Sequence, residues 1–252
     1  AGLILGALGG RDLAGLGRKA LLHSAGVGVL FAVAMSLWIM GLKYGTHIGE
    51  GAFISSLGIV LVPVLARFLF GDRPARSTWV AIPVALVGFG CLSLQHGFRF
   101  ETGQLFFFAA ALAFAFVFVM NSHVVRAVPP LALSTVQLLM VAVLVLPASL
   151  LFEAWPTSLA PDIIGWVLAS TLIGTTLRFF LQLRGQGMTT PAHAALILML
   201  EPMWTAILSA FWFRESMTAM QFVGCGLIFS ALLISRWAWV RGLFSNAARP
   251  AA

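Results

Sequence analysis

The sequence predicts an all-α membrane protein, a polytopic helical bundle with eight complete transmembrane helices. Hydrophobic residues make up 60% of the 252, charged residues only 9%, and the mean hydropathy is +1.00, too little polar surface to cover a water-facing fold. Apolar runs recur at the length needed to cross a bilayer, about 20 residues each. Runs such as Val141–Pro147 and Phe106–Phe114 lack the polar residue at every second position that a closed β-barrel strand needs, so the spans are helices.

The chain opens with the fragment 1–9, whose Gly-rich end and lack of a basic segment read as the tail of a truncated helix and not a signal peptide. Eight runs follow, each bounded by Arg, Pro, Gly or Asp: 25–42, 51–70, 78–95, 103–122, 131–152, 163–183, 191–212 and 219–239. A cytoplasmic tail, 241–252, completes the chain.

Basic residues orient the helices, because cytoplasmic connections retain Lys and Arg. One set of alternate connections carries Arg11, Arg18, Lys19, Arg67, Arg73, Arg76, Arg126, Arg178, Arg184, Arg236, Arg241 and Arg249; the other carries only Lys43, Arg99 and Arg214. Glu50, Glu101, Glu153, Asp162 and Glu215 fall on the second side. The expected location is therefore a bacterial inner (cell) membrane, crossed many times, with the C-terminus in the cytoplasm. The same asymmetry explains a pI near 11.0 without nucleic acid, since no basic cluster occurs.

Laying Asp72 on Glu215, 143 residues later, also aligns Thr46 with Thr189, Ala52 with Ala195, Ile54 with Ile197, Leu57 with Leu200, Phe68 with Phe211 and Phe70 with Phe213. Spans 51–70 and 191–212 are an odd number of helices apart, so the copies run oppositely through the bilayer. Inverted repeats of this kind are a common transporter construction. The expected division is 1–97 as the later part of a first repeat, lacking about forty residues at its start, and 98–240 as the second.

The stretch Thr189-Thr-Pro-Ala-His-Ala-Ala-Leu-Ile-Leu-Met-Leu-Glu-Pro-Met-Trp-Thr-Ala-Ile-Leu-Ser-Ala-Phe-Trp-Phe-Arg-Glu215 resembles the EamA-like branch of the drug/metabolite transporter superfamily, where a Glu-Pro pair precedes a helix ending in Gly-Glu. Arg214 stands here in place of the usual Gly. Gln182 and Gln186 resemble that family's glutamines at the end of its eighth helix, and Tyr44 to Pro63, closing at Gly71-Asp72-Arg73-Pro74, is similar to the matching segment of the first repeat. The resemblance covers about residues 10–240 and implies a ten-helix fold of two inverted five-helix repeats, of which this chain holds the third to tenth helices. It implies a secondary active transporter, with export the expected direction, moving a small organic metabolite or drug by alternating access. It does not name the solute.

Ionisable groups inside a bilayer cost about 2.5–3.5 kcal/mol each on insertion scales, so they are functional candidates. Thr171, Thr175, Arg178, Gln182 and Gln186 recur at steps of four, three, four and four, one face of an α-helix and a candidate solute path with Arg178 as an anchor for an anionic group. The bland alternative is interhelical glue with Arg178 snorkelling. Glu201, Thr205 and Ser209 form a second stripe, with His193 two turns earlier. Glu201, mid-span, is expected to be buried and to couple protonation to transport, or else to be a structural partner of Arg178 or His193. Pro202 removes a backbone donor and frees the carbonyl near Leu198; Pro202 and Pro63 are the expected bending points.

Trp38, Tyr44 and Trp204 are candidates to stack on a planar solute, although packing is the commoner role of any single ring. Asn121 reads first as an end-of-helix hydrogen bond, and Gly88, Gly90, Gly224 and Gly226 as points of close helix contact. His47 and Glu50 are too few for a metal site, and Cys91 and Cys225 fit buried apolar positions. With no nucleotide, hydrolase or metalloprotease motif, the chain is expected not to be an enzyme and to need no cofactor or metal. Its expected partners are a small-molecule substrate and the lipid bilayer, with proton coupling and homo-oligomer formation left open. The competing readings are an integral membrane enzyme, which needs clustered titratable groups at one depth, and a non-transporting partner or inactive fragment of such a transporter.

Overall fold

The structure is a computed structural model that describes residues 1–45, 54–55, 57–93, 102–153, 161–213 and 218–235. Every regular element among them is helical. In chain order these are α1 (Gly2–Leu8), α2 (Gly10–Ala14), α3 (Arg18–Tyr44), α4 (Gly58–Phe70), α5 (Arg76–Ser93), α6 (Thr102–Val124), α7 (Pro130–Phe152), α8 (Pro161–Ala169), a π-helix (Ser170–Leu177), α9 (Arg178–Gly187), α10 (Pro191–Leu198), α11 (Leu200–Phe213) and α12 (Ala219–Ser235).

Among the described residues four helices are long and apolar enough to cross a membrane: Arg18–Tyr44, Thr102–Val124, Pro130–Phe152 and Ile163–Gly187. Helices also occupy the other four expected spans, but α4, α5 and α12 are shorter and the run 191–212 is divided into α10 and α11. The division falls at Met199, whose N–H is shared between the carbonyls of Ala195 and Leu196, both at 3.2 Å. Three residues later Pro202 has no N–H to offer the Leu198 carbonyl, so the α-helical ladder lacks one rung at this turn. Pro63 lies inside α4, which continues through it.

Local signals explain several ends. Pro130 opens α7 at its first position, where the missing N–H costs nothing. Thr218 and Gln221 form a reciprocal cap on α12, the Thr218 N–H donating to Gln221 Oε1 at 2.8 Å and the Gln221 N–H to Thr218 Oγ1 at 3.3 Å. α4 ends at Gly71, whose φ of +70° lets its N–H reach the Arg67 carbonyl and that of Asp72 reach Ala66.

The chain packs as two compact units, Ala1–Ile39 with Phe116–Thr190, and Met40–Ala115 with Pro191–Ala252. Each draws residues from both sides of position 97, so packing groups the chain differently from the sequence repeat.

In the first unit, α1 lies antiparallel to α7: a Cβ placed on Gly2, Gly6 or Gly9 would meet Leu139, Thr135 or Leu131 respectively. Its apolar core joins Val125, Val128, Ala132, Leu133, Phe179 and Leu183, with Phe31 stacked on Phe179 at 5.1 Å between ring centroids.

In the second unit, α5 and α12 form the most extensive helix pair. They run antiparallel, since Ser77 Oγ donates to the Ser235 carbonyl at 3.1 Å near one end and Gly88 abuts Gly224 farther along. A Cβ on Gly88 would lie 2.8 Å from the Gly224 carbonyl oxygen, so only glycine permits this approach. By contrast, a Cβ on Gly226 meets nothing within 4 Å, so this glycine is not a contact point as the sequence suggested. Ala81, Ile82, Ala85, Phe89, Leu196, Met199, Ile228 and Ala231 fill the core.

Candidate functional site

Of the candidate residues, Trp38, Thr175, Arg178, Gln182 and Gln186 belong to the first unit, and Tyr44, Pro63, His193, Glu201, Pro202 and Trp204 to the second.

In the first unit the polar face built on α-helical spacing is re-registered. Ser170–Leu177 is a π-helix, whose bonds close over five residues instead of four. Thr176 Oγ1 donates to the Thr171 carbonyl at 2.7 Å across that five-residue step, and it is Thr176 that is buried while Thr171 and Thr175 are half-buried. Arg178 follows immediately, exposed, at the start of α9; Gln182 is half-buried one turn on. Gln186 is 2% exposed, and neither its Nε2 nor its Oε1 has a hydrogen-bond partner. Leaving a buried amide unpaired costs about 1–3 kcal/mol.

A second polar group in this unit was not singled out in the sequence. Gln137 on α7 is fully buried and donates from Nε2 to Asn121 Oδ1 on α6 at 2.5 Å, while its own Oε1 has no partner. Asn121 is thus an interhelical acceptor and not an end-of-helix cap. The hydroxyls of Ser122, Ser134 and Thr135 nearby in sequence are engaged by the carbonyls of Phe118, Pro130 and Leu131 on their own helices, so none of those three bonds supplies the missing donor. The signal available in the sequence was a lone Gln in an apolar run, which only a facing polar residue makes meaningful.

In the second unit, Glu201 stands in the first turn of α11, where the unpaired N–H groups of a helix start favour a carboxylate. Because the helix is interrupted at Met199, Glu201 does not sit in mid-helix, and it is exposed and not buried as its position in the run suggested. His193 is half-buried on α10, a separate helix. The side chains of Pro202, Thr205 and Ser209 lie outside the described residues, as do His47, Glu50 and Glu215. Trp204 is 55% exposed on α11. Tyr44 ends α3, stacked on Phe106 at 5.7 Å with Lys43 Nζ 5.7 Å from its ring centroid; it already has an aromatic neighbour and a cation. Trp38 is half-buried on α3, and Cys91 and Cys225 are free thiols.

Comparison with known proteins decides the family. The family model described as "EamA-like transporter family" matches residues 101–237, more than half of the chain. The chain belongs to the EamA-like transporter family. An uncharacterized transporter of Archaeoglobus fulgidus is 27% identical over 208 residues, 82% of this chain and 66% of that protein. The uncharacterized transporter YwfM of Bacillus subtilis is 30% identical over 201 residues, 77% of this chain and 64% of that protein. The chain thus spans about two thirds of the length of these relatives. One solved crystal structure matches with a TM-score of 0.78 at 18% identity, covering 94% of this chain and 82% of the other, a likeness of fold. This EamA-like chain is a helical membrane protein whose relatives are named as transporters.

Proposed function

We propose that this protein is a secondary active transporter that exports a small organic metabolite or drug across a bacterial cytoplasmic membrane by alternating access. The observation that carries the reading is Gln186: an amide 2% exposed, with both polar ends unpaired, in the unit that buries most of the described polar side chains. A solute bearing one donor and one acceptor would satisfy both ends, and removing it would restore the cost, which suits reversible binding. Gln182, Thr175 and Arg178 precede Gln186 on the same π- and α-helical segment, with Arg178 the anchor for an anionic group. Membership in the EamA-like family supports the same reading.

Coupling is assigned to Glu201, the acid beside the interruption at Met199, with His193 as a second titratable group and Pro202 and Pro63 as the bending positions. Trp38, Tyr44 and Trp204 supply aromatic surface. In proteoliposomes of the full-length protein, Glu201→Gln should abolish solute-dependent proton movement while solute binding persists. Unchanged coupling in that variant would remove Glu201 from the mechanism. Absence of any solute flux in the wild type, across a panel of amphipathic amines, amino acids and nucleosides, would sink the transporter reading itself.

A further inference from the structure

We propose that one end of the first unit is a docking site for anionic phospholipid headgroups, formed by Arg11, Arg18, Lys19, Arg126 and Arg184. Three separate chain segments meet there. Leu13, Leu16 and Ala20, from α2 and the start of α3, pack against a cluster that includes Val125 and Val128 after α6 and Leu183 in α9. The contact is close: a Cβ on Gly187, at the end of α9, would lie 3.2 Å from Val125 Cγ1.

Each segment brings cations to this junction. Arg126 follows Val125, Arg184 follows Leu183 and Lys19 precedes Ala20, each one Cα step of about 3.8 Å from a packed residue. Arg18 and Arg11 lie two residues from Ala20 and Leu13. All five are exposed, and among the described residues none is ion-paired with a carboxylate. Asp12 is the single acid within 10–20, 124–130 and 184–190. Beside the cations, Leu21 and Leu22 are 45% and 61% exposed, an apolar surface for the first carbons of an acyl chain.

Five like charges on residues adjoining one packed junction repel unless a counter-charge is supplied. For a protein embedded in a bilayer, the counter-charge present at high concentration at that depth is the lipid phosphodiester, which Arg engages through paired N–H donors. A lipid satisfies both halves of the surface at once, cations and exposed leucines, whereas a free anion satisfies only one. The proposal rests on the chain being a membrane protein and not on its transporting anything, so the two ideas fail separately.

The test uses the full-length protein in nanodiscs of mixed phosphatidylglycerol and phosphatidylcholine, with the lipids retained on extraction counted by native mass spectrometry. The wild type should retain phosphatidylglycerol in several-fold excess. Lys19→Gln/Arg126→Gln/Arg184→Gln should lose the excess, at up to roughly fivefold per cation. Arg126→Lys/Arg184→Lys should keep it, as should a control in the second unit, Arg67→Gln/Arg73→Gln/Arg76→Gln. If the triple variant does not fold, a salt titration of the wild type decides, because the excess must collapse between about 0.05 and 0.5 M salt. Equal retention of both lipids, an excess that survives in the triple variant, or its equal loss in the control would each overturn the proposal. So would stabilisation by inorganic phosphate alone, which would make this a site for a soluble anion.

Discussion

The two units bury different things. Among the described residues, the first holds Ser24, Asn121, Ser122, Ser134, Thr135, Gln137, Thr176 and Gln186 out of contact with solvent, the second only Thr78 and Gln104. Both use glycine to bring helices close, as Gly28 does against Met140 and Gly88 against Gly224. The second therefore associates its helices mainly by surface fit, with the Ser77–Ser235 bond across α5 and α12 and Ser55 Oγ buried without a partner, while the first buries more polar groups and leaves Gln137 Oε1 and both ends of Gln186 unpaired. Since an unmade hydrogen bond in a low-dielectric interior is costly, its presence marks where a structure has been kept for something other than stability.

The largest expected effect tests the surface-fit side of this contrast. Gly88→Val should lower stability by about 3 kcal/mol in thermal unfolding in detergent, because the new methyls displace the backbone of α12, whereas Gly226→Val should change it by less than about 0.5 kcal/mol. Equal losses would mean that the α5–α12 approach is not tight in solution. On the polar side, Gln137→Leu should cost about 2 kcal/mol by stranding Asn121 Oδ1, and the double variant Asn121→Leu/Gln137→Leu should recover most of that loss. Additive losses in the double variant would dissolve the pair.

Gln186→Met should behave in the opposite sense, stabilising the fold by about 1 kcal/mol because no bond is lost and an unpaired amide is removed, while solute transport falls. A destabilised Gln186→Met protein would show that the amide is satisfied after all. The smallest effect concerns register: Thr176→Val should cost about 1 kcal/mol and Thr175→Val less, an order that reverses if the segment is α-helical in the bilayer.

How much was legible varies residue by residue. The runs 103–122 and 131–152 became Thr102–Val124 and Pro130–Phe152, since an unbroken apolar run of that length has one stable backbone in lipid. The freed carbonyl near Leu198 was legible from Pro202, because proline acts through its own covalent structure. What it did to Glu201 was not: an acid placed mid-span by counting stands at a helix start once the run divides. Nor was the π-helix legible, because the same Thr-rich residues suit either hydrogen-bond register and the choice is made by what packs around them. Asn121 and Gln137, sixteen residues apart on different helices, gave no local sign of each other.

By itself, then, the sequence determined that this chain is helical, that it belongs in a membrane and, for runs such as 103–122 and 131–152, about where a helix starts and stops. Those are properties of a single segment exchanging water for lipid, so composition and run length suffice. Only tertiary structure decided which polar groups are satisfied, which glycines touch a neighbour and which residues share a unit. Each of those depends on two segments meeting, and the free energy of a pair is not written in either member alone.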